Sequence, residues 1–206
     1  MKFHFPIIAL FAFLFASCDQ GNADVNIKPD GETVPGKHQT ITLGGGCYWC
    51  VEAVFQQLDG VISSTSGFMG GHVADPTYAE VCEGTTGHIE VIQVVYDPEK
   101  ISTKEILNWF WKAHDPTNPL GQGADIGERY TSHIFYHTPE QKEIAEASKK
   151  EAQKDFEKPI VTKIREATTF YKAKEDHQDY YAQNKNKNPY CPAVITPKLK
   201  KLGLEH

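Results

Sequence analysis

Cys47 and Cys50 are the residues of this 206-residue chain best placed to do chemistry. They lie in Gly44-Gly45-Gly46-Cys47-Tyr48-Trp49-Cys50, at the start of a helical pattern. Val51, Val54, Phe55 and Leu58 recur at helical spacing, with Glu52, Gln56, Gln57 and Asp59 on the opposite side, and residues 40–43 before them read as a strand. The pattern puts Cys47 in the first helical turn. Unpaired amides and the positive end of the helix dipole would stabilise a thiolate there and lower the thiol pKa. A lone cysteine in such a place is ordinarily a buried cap of a core helix. Three preceding glycines, which allow the backbone close approach to a ligand, point instead to chemistry. So do Tyr48 and Trp49, which can wall a small apolar pocket.

Glu90 heads the best strand pattern in the chain, Ile89–Tyr96, and shares a face with Ile92, Val94 and Tyr96. Burial on that face would raise its pKa, leaving a proton at neutrality to give to a departing oxygen. A local backbone or lysine partner is the competing account of this glutamate. A nucleophilic thiolate and a buried acid suggest redox chemistry at sulfur: Cys47 becomes a sulfenic acid and a second cysteine condenses with it to a disulfide. Cys191, between Pro189 and Pro192, sits in an irregular segment from which it can reach the site, and Cys50 is the nearer alternative.

The elements that must hold these groups alternate along the chain. After the first helix, residues 61–68 read as a strand ending at Gly70-Gly71, and residues 75–78 as a loop presenting Tyr78. Ser102-Thr103-Lys104-Glu105 is a capping box that opens a helix with Ile106, Leu107 and Phe110 inside. A long glycine-rich loop through Asp125 leads to Tyr130 and has the character of a functional loop. A short strand at 134–136, a charged helix from Thr138 to about residue 156, a strand at 160–165, a polar helix near 176–183 and an irregular tail over 184–197 complete the pattern. These elements predict an α+β, two-layer sandwich built on split βαβ units.

The net charge is −6 and lysines and arginines are dispersed, which argues against nucleic-acid binding. Residues 1–17 carry Lys2, an apolar run too short to span a bilayer and small residues before Cys18, and read as a signal peptide. Leu14-Phe15-Ala16-Ser17-Cys18 resembles a bacterial lipobox, with Cys18 as the lipidated residue; plain secretion is the other reading. Residues 18–37 read as a flexible tether, and residues 38–206 as the folded domain. Export would put Cys47, Cys50, Cys82 and Cys191 where disulfides can form. A Cys47–Cys50 bridge closes too small a loop to stabilise much, so a redox role fits the pair better than a structural one.

Several blocks together resemble the peptide methionine sulfoxide reductase A family. They are Gly46-Cys47-Tyr48-Trp49, Pro76-Thr77-Tyr78, Val81-Cys82-Glu83-Gly84, Thr86-Gly87-His88-Ile89-Glu90, Tyr96-Asp97-Pro98, His114-Asp115-Pro116-Thr117 and Gln122-Gly123-Ala124-Asp125-Ile126-Gly127. The resemblance implies a ferredoxin-like core and reduction of methionine S-sulfoxide, free or in proteins, without a metal or prosthetic group. It assigns Cys47 as nucleophile and Glu90 as proton donor. Tyr78 and Tyr130 become the hydroxyls that hold the sulfoxide oxygen, and Asp125 an acid that orders water or backbone nearby. Tyr48 and Trp49 receive the substrate methyl. Cys191 looks like the recycling cysteine, with thioredoxin or a similar dithiol protein as external reductant, and the chain is expected to act as a monomer. Departures are Tyr48 for a common Phe, Cys50 for a usual Gly, and Gly121 and Thr131 where Arg is frequent. Cys50 leaves two routes of regeneration open. Cys82 reads as a buried hydrophobe.

Two other classes fit parts of the sequence. A thioredoxin-like dithiol oxidoreductase would explain Cys47-Tyr48-Trp49-Cys50, but it calls for Pro or Gly inside the motif. A zinc-binding module would use Cys47, Cys50, Cys82 and a histidine, but only the first pair has ligand spacing. His72, His88 and His114 read as turn hydrogen-bonders.

Overall fold

The computed structural model describes residues 38–204. The expected signal peptide, the expected tether and Cys18 lie outside the described residues. Strands β1 (Gln39–Gly44), β2 (Val61–Met69) and β3 (Ile89–Tyr96) form the centre of a six-stranded sheet, with helix α1 (Tyr48–Phe55) between β1 and β2. Helix α2 (Tyr78–Glu83) precedes β3 and α3 (Thr103–Ala113) follows it. Two-residue strands β4 (Gly121–Gln122) and β5 (Asp125–Ile126) form a separate small hairpin within the long loop. Then come β6 (His133–Tyr136), α4 (Pro139–Ala152), β7 (Lys163–Glu166), β8 (Tyr171–Lys172), α5 (Tyr180–Asn184) and α6 (Thr196–Leu202).

The sheet order is β7-β6-β1-β3-β2-β8. Both β1 and β2 run antiparallel to β3 between them, with Leu43 opposite Ile92 and Phe68 opposite Glu90. Likewise β6 pairs antiparallel with β1. β1-α1-β2 and β3-α3-β6 are therefore two interlocked split βαβ units, the expected ferredoxin-like core. On the even face of β3, Ile92, Val94 and Tyr96 join Ile41, Leu43, Val54, Phe55, Ile106 and Phe110 in the main core. On the odd face, Ile89 and Val91 pack with Met69 and Phe135 in a smaller cluster to which Ala167 and Phe170 add cover.

Several elements differ from expectation. Tyr78 stands in helix α2, not a loop, because Thr77 and Glu80 form a reciprocal capping box. The helix expected to reach residue 156 ends at Ala152 and continues as one 3-10 turn over Gln153–Asp155. The strand expected at 160–165 begins at Lys163, and β8 was not foreseen. The polar helix expected near 176–183 is present as a 3-10 turn at Glu175–His177 followed by α5, whereas the tail expected to be irregular over 184–197 carries a wide helical turn at Cys191–Ile195 and leads into α6.

Candidate active site

The glycine turn after β1 does not open toward a ligand. A Cβ on Gly44 would lie 2.8 Å from Ile89 Cγ2, and Gly46, at φ +97°, would press one against Gln122 at 2.6 Å. The glycines are there so that the chain can turn against β3 and the β4 loop. That turn leaves Cys47 at the N-cap of α1 instead of within the first turn, where its carbonyl accepts from Cys50 N–H at 3.0 Å. Cys47 is 7% exposed and Cys50 3%.

The two thiols are close neighbours whose ionisations are linked. The Cys50 partner, then burial, holds the Cys47 thiol well above its usual range. The Cys47 partner draws Cys50 down to about 7, with Lys198 and the Tyr190 hydroxyl helping. The first proton of the pair is therefore lost near neutrality, and the Cys47 thiol, which the helix end was expected to lower, is instead raised. A close second sulfur outweighs the dipole because it accepts or donates directly.

Glu90 faces α1 from β3 and is 2% exposed. Its Oε2 accepts from the Tyr48 backbone N–H at 3.2 Å, and Arg129 Nε lies 3.8 Å from Oε1. Burial dominates and lifts its pKa to about 8, against the opposing pull of the Tyr48 amide and Arg129. At neutral pH it carries a proton. The competing account survives in part, since a backbone partner is present, but no lysine pairs with Glu90 among the described residues.

Tyr130 closes the 3-10 turn Glu128–Tyr130 and is half-buried. Burial first, and then the Glu90 charge, push its hydroxyl to about 12. Burial first, and then neighbouring Cys82, Glu90 and Tyr130, raise the Tyr78 hydroxyl. Both phenols remain protonated donors around the acid. Cys82 is half-exposed beside Tyr78, so it is not the buried hydrophobe expected.

Asp125 Oδ2 accepts from the Tyr190 hydroxyl at 2.9 Å, and that hydroxyl is 3.3 Å from Cys50 Sγ. Cys191, next in sequence, is fully buried as a free thiol, with burial and Cys50 both raising its pKa. It is packed into the core, not held on an open segment. A groove of about 490 Å³ reaches both Cys47 and Cys50 and is bordered by Asp125, Lys112, Lys198 and Lys201.

The aromatic wall is present but covered. Tyr48 is 1% exposed, packs on Phe68, and its hydroxyl lies 2.6 Å from His177 Nδ1. Trp49 stacks on Tyr180 with ring centroids 3.6 Å apart. Glu52, buried on α1, accepts from Ser66 Oγ–H and the Tyr180 N–H and so ties this cover to the helix. Sequence reasoning missed His177, Tyr180, Tyr190 and Arg129 as neighbours of the site. Only Tyr190 carried a signal, as the residue between Pro189 and Cys191 in the segment expected to bring Cys191 to the site. His88 and His114 are turn hydrogen-bonders as expected: His88 Nδ1 accepts from Gly71 N–H, and His114 bridges Phe110 O and Ser132 Oγ. Among the described residues, no group of three or more His, Cys, Asp or Glu is arranged to hold a metal ion.

A paired thiol beside a protonated carboxyl, with two phenols at hand, is the equipment of an oxidoreductase that works through cysteine sulfur. Residues 39–206 match the family model described as peptide methionine sulfoxide reductase, and the chain belongs to that family. It is 48% identical over 163 residues to the peptide methionine sulfoxide reductase MsrA of Saccharolobus solfataricus, covering 79% of this chain and 92% of that one. Among solved structures it resembles reduced Mxr1 from Saccharomyces cerevisiae, with TM-score 0.72 and 32% identity over 78% of this chain and 93% of the other. Mxr1 in complex with Trx2, also from Saccharomyces cerevisiae, matches with TM-score 0.52 and 26% identity over 72% and 88% of the respective chains. The chain is therefore a methionine sulfoxide reductase of the A type. This assignment replaces the thioredoxin-like and zinc-module readings of Cys47 and Cys50.

Proposed function

We propose that this enzyme reduces the S epimer of methionine sulfoxide, free and in oxidised proteins, with Cys47 as nucleophile and Glu90 as proton donor. The observation that carries the assignment of roles is the placement of the protonated Glu90 carboxyl against the amide that follows Cys47. Cys47 sulfur attacks the substrate sulfur while Cys50 thiolate takes the Cys47 proton. The sulfoxide oxygen takes the proton of Glu90, and the hydroxyl then passes to the Cys47 sulfur as the Cys47–substrate S–S bond and the substrate S–O bond both break, leaving Cys47 as a sulfenic acid and releasing the thioether. Tyr78 and Tyr130 donate to the oxygen, and Trp49, with the Tyr48 ring behind it, receives the methyl. Fixed positions for oxygen and methyl give the epimer preference.

Cys50, the close neighbour of Cys47, condenses with the sulfenic acid first and releases water, and Cys191 follows by thiol–disulfide exchange. Thioredoxin or a similar dithiol protein returns the disulfide to thiols, a reading supported by the Mxr1 complex with Trx2. Asp125 holds Tyr190 over the dithiol. The enzyme works as a monomer outside the cytoplasm, exported by residues 1–17 and, with Cys18 lipidated, anchored to a membrane through that residue. The test is sulfoxide-dependent oxidation of a dithiol with S- and R-epimer substrates, in wild type and Cys47→Ser. S-selective turnover lost in Cys47→Ser supports the reading; turnover that survives the substitution, or that ignores the epimer, overturns it.

A further inference from the structure

Arg129 has no part in the reaction as described above, yet its side chain is aimed at the proton donor. The side chain is 21% exposed, its Nε is buried and has no hydrogen-bond partner among the described residues, and Nε lies 3.8 Å from Glu90 Oε1. That separation is too long for a hydrogen bond and short enough for charge attraction. Glu90 Oε2 is already engaged by the Tyr48 amide, so Oε1 is the oxygen free to carry the proton. Arg129 is held in this position from two other sides. Its Nη1 donates to the Cys82 carbonyl of α2 at 2.9 Å, and its guanidinium lies 4.3 Å over the Tyr130 ring.

We propose that Arg129 is a positioning residue that receives the Glu90 carboxylate formed when the proton passes to the sulfoxide oxygen, and that it fixes the Tyr130 ring while doing so. The reading rests on the proposed role of Glu90. Before transfer, Glu90 is neutral and the guanidinium faces a carboxyl that needs no counter-charge, which is why the gap stands open. After transfer, a carboxylate at 2% exposure would have only the Tyr48 amide on Oε2 and no counter-charge on Oε1. A guanidinium one small shift away pairs it, and so lowers the barrier to giving up the proton. The proton itself goes to the substrate oxygen, and solvent returns one to Glu90 once the thioether has left. Arg129 neither gains nor loses a proton, so the step balances as written for the parent reaction.

Glu90 is faced by Tyr48, Cys47 and Cys50 from α1, Tyr78 from α2, Asp125 from β5, and Arg129 and Tyr130 from the 3-10 turn. Asp125 and the Cys50 charge raise its pKa, while the Tyr48 amide and Arg129 lower it. Removing the guanidinium therefore makes the carboxyl a weaker acid: Glu90 keeps its proton to higher pH but releases it less readily.

The experiment is single-turnover reduction of methionine S-sulfoxide across pH in wild type, Arg129→Gln, Arg129→Met and Arg129→Lys. Arg129→Met retains a long side chain over Tyr130 and guards against misfolding of the glutamine variant. The two neutral variants should lower the plateau rate at least tenfold and move the alkaline limb up by about one pH unit, while Arg129→Lys leaves the limb near its wild-type position. An alkaline limb unmoved in either folded neutral variant overturns the proposal. A wild-type enzyme without S-sulfoxide activity would instead defeat the assigned function, so the two failures are distinguishable.

Discussion

The Tyr190 hydroxyl bridges Cys50 and Asp125, lying 3.3 Å from the Cys50 sulfur and 2.9 Å from Asp125 Oδ2, with a single proton that it can give to either. It links the residue preceding Cys191 to the sulfur whose ionisation is linked to that of Cys47. Its contact lowers the pKa of both cysteines. In Tyr190→Phe the first ionisation of the pair should therefore move above its present value of about 7. The rate of alkylation of the reduced enzyme against pH measures this directly; a midpoint that stays put would show that the phenol does not stabilise the thiolate.

The dithiol ionises near 7 and Glu90 loses its proton near 8. The reaction needs the pair singly ionised and Glu90 protonated, so the rate rises with pH through the first value and falls through the second. Single-turnover rates should trace a narrow bell centred between them. Glu90→Gln should lose ~10²–10⁴-fold in rate together with the alkaline limb.

Cys50→Ser and Cys191→Ser separate the two routes of regeneration. Each should retain one stoichiometric turnover, because the oxygen goes to Cys47 in both, but Cys50→Ser should turn over more slowly, having lost the sulfur that takes the Cys47 proton. Cys50→Ser should accumulate that acid, trappable with a dimedone-type reagent, whereas Cys191→Ser should still close the Cys47–Cys50 disulfide. Mass spectrometry of each variant after one equivalent of substrate reads the outcome. Prompt disulfide formation in Cys50→Ser would reverse the proposed order.

Gly46→Ala should destabilise the fold by about 1–3 kcal/mol, through positive φ and the encroachment on Gln122. Urea denaturation checks the stability. Because the same turn sets the Cys47 backbone, activity at temperatures well below unfolding should also fall.

The central sheet and the two groups at its end were legible in sequence because period-2 and period-3.6 patterns report burial directly. Glu90 shares its side of β3 with Ile92, Val94 and Tyr96, and that pattern alone placed it inside. The capping box of Thr77 and Glu80 was equally readable and was passed over because α2 is six residues long. The C-terminal segment was different in kind. Gln178 pairs its side-chain amide with both the N–H and the carbonyl of Ser66, and Glu52 captures the Tyr180 amide. A conformation set by distant partners leaves no local periodicity, so His177, Tyr180 and Tyr190 could not be seen arriving at the dithiol. The glycine run misled for a related reason: sequence shows that the backbone comes close to something, and the structure shows that the something is the protein itself.

The pairing of β1 with β3 also bears on how such an enzyme can diversify. Cys47 leaves the end of one strand and Glu90 begins the next, so main-chain hydrogen bonds between neighbouring strands set the spacing of nucleophile and acid. Peripheral segments can lengthen, shorten or change charge to suit new clients and new electron donors while the reacting pair keeps its geometry.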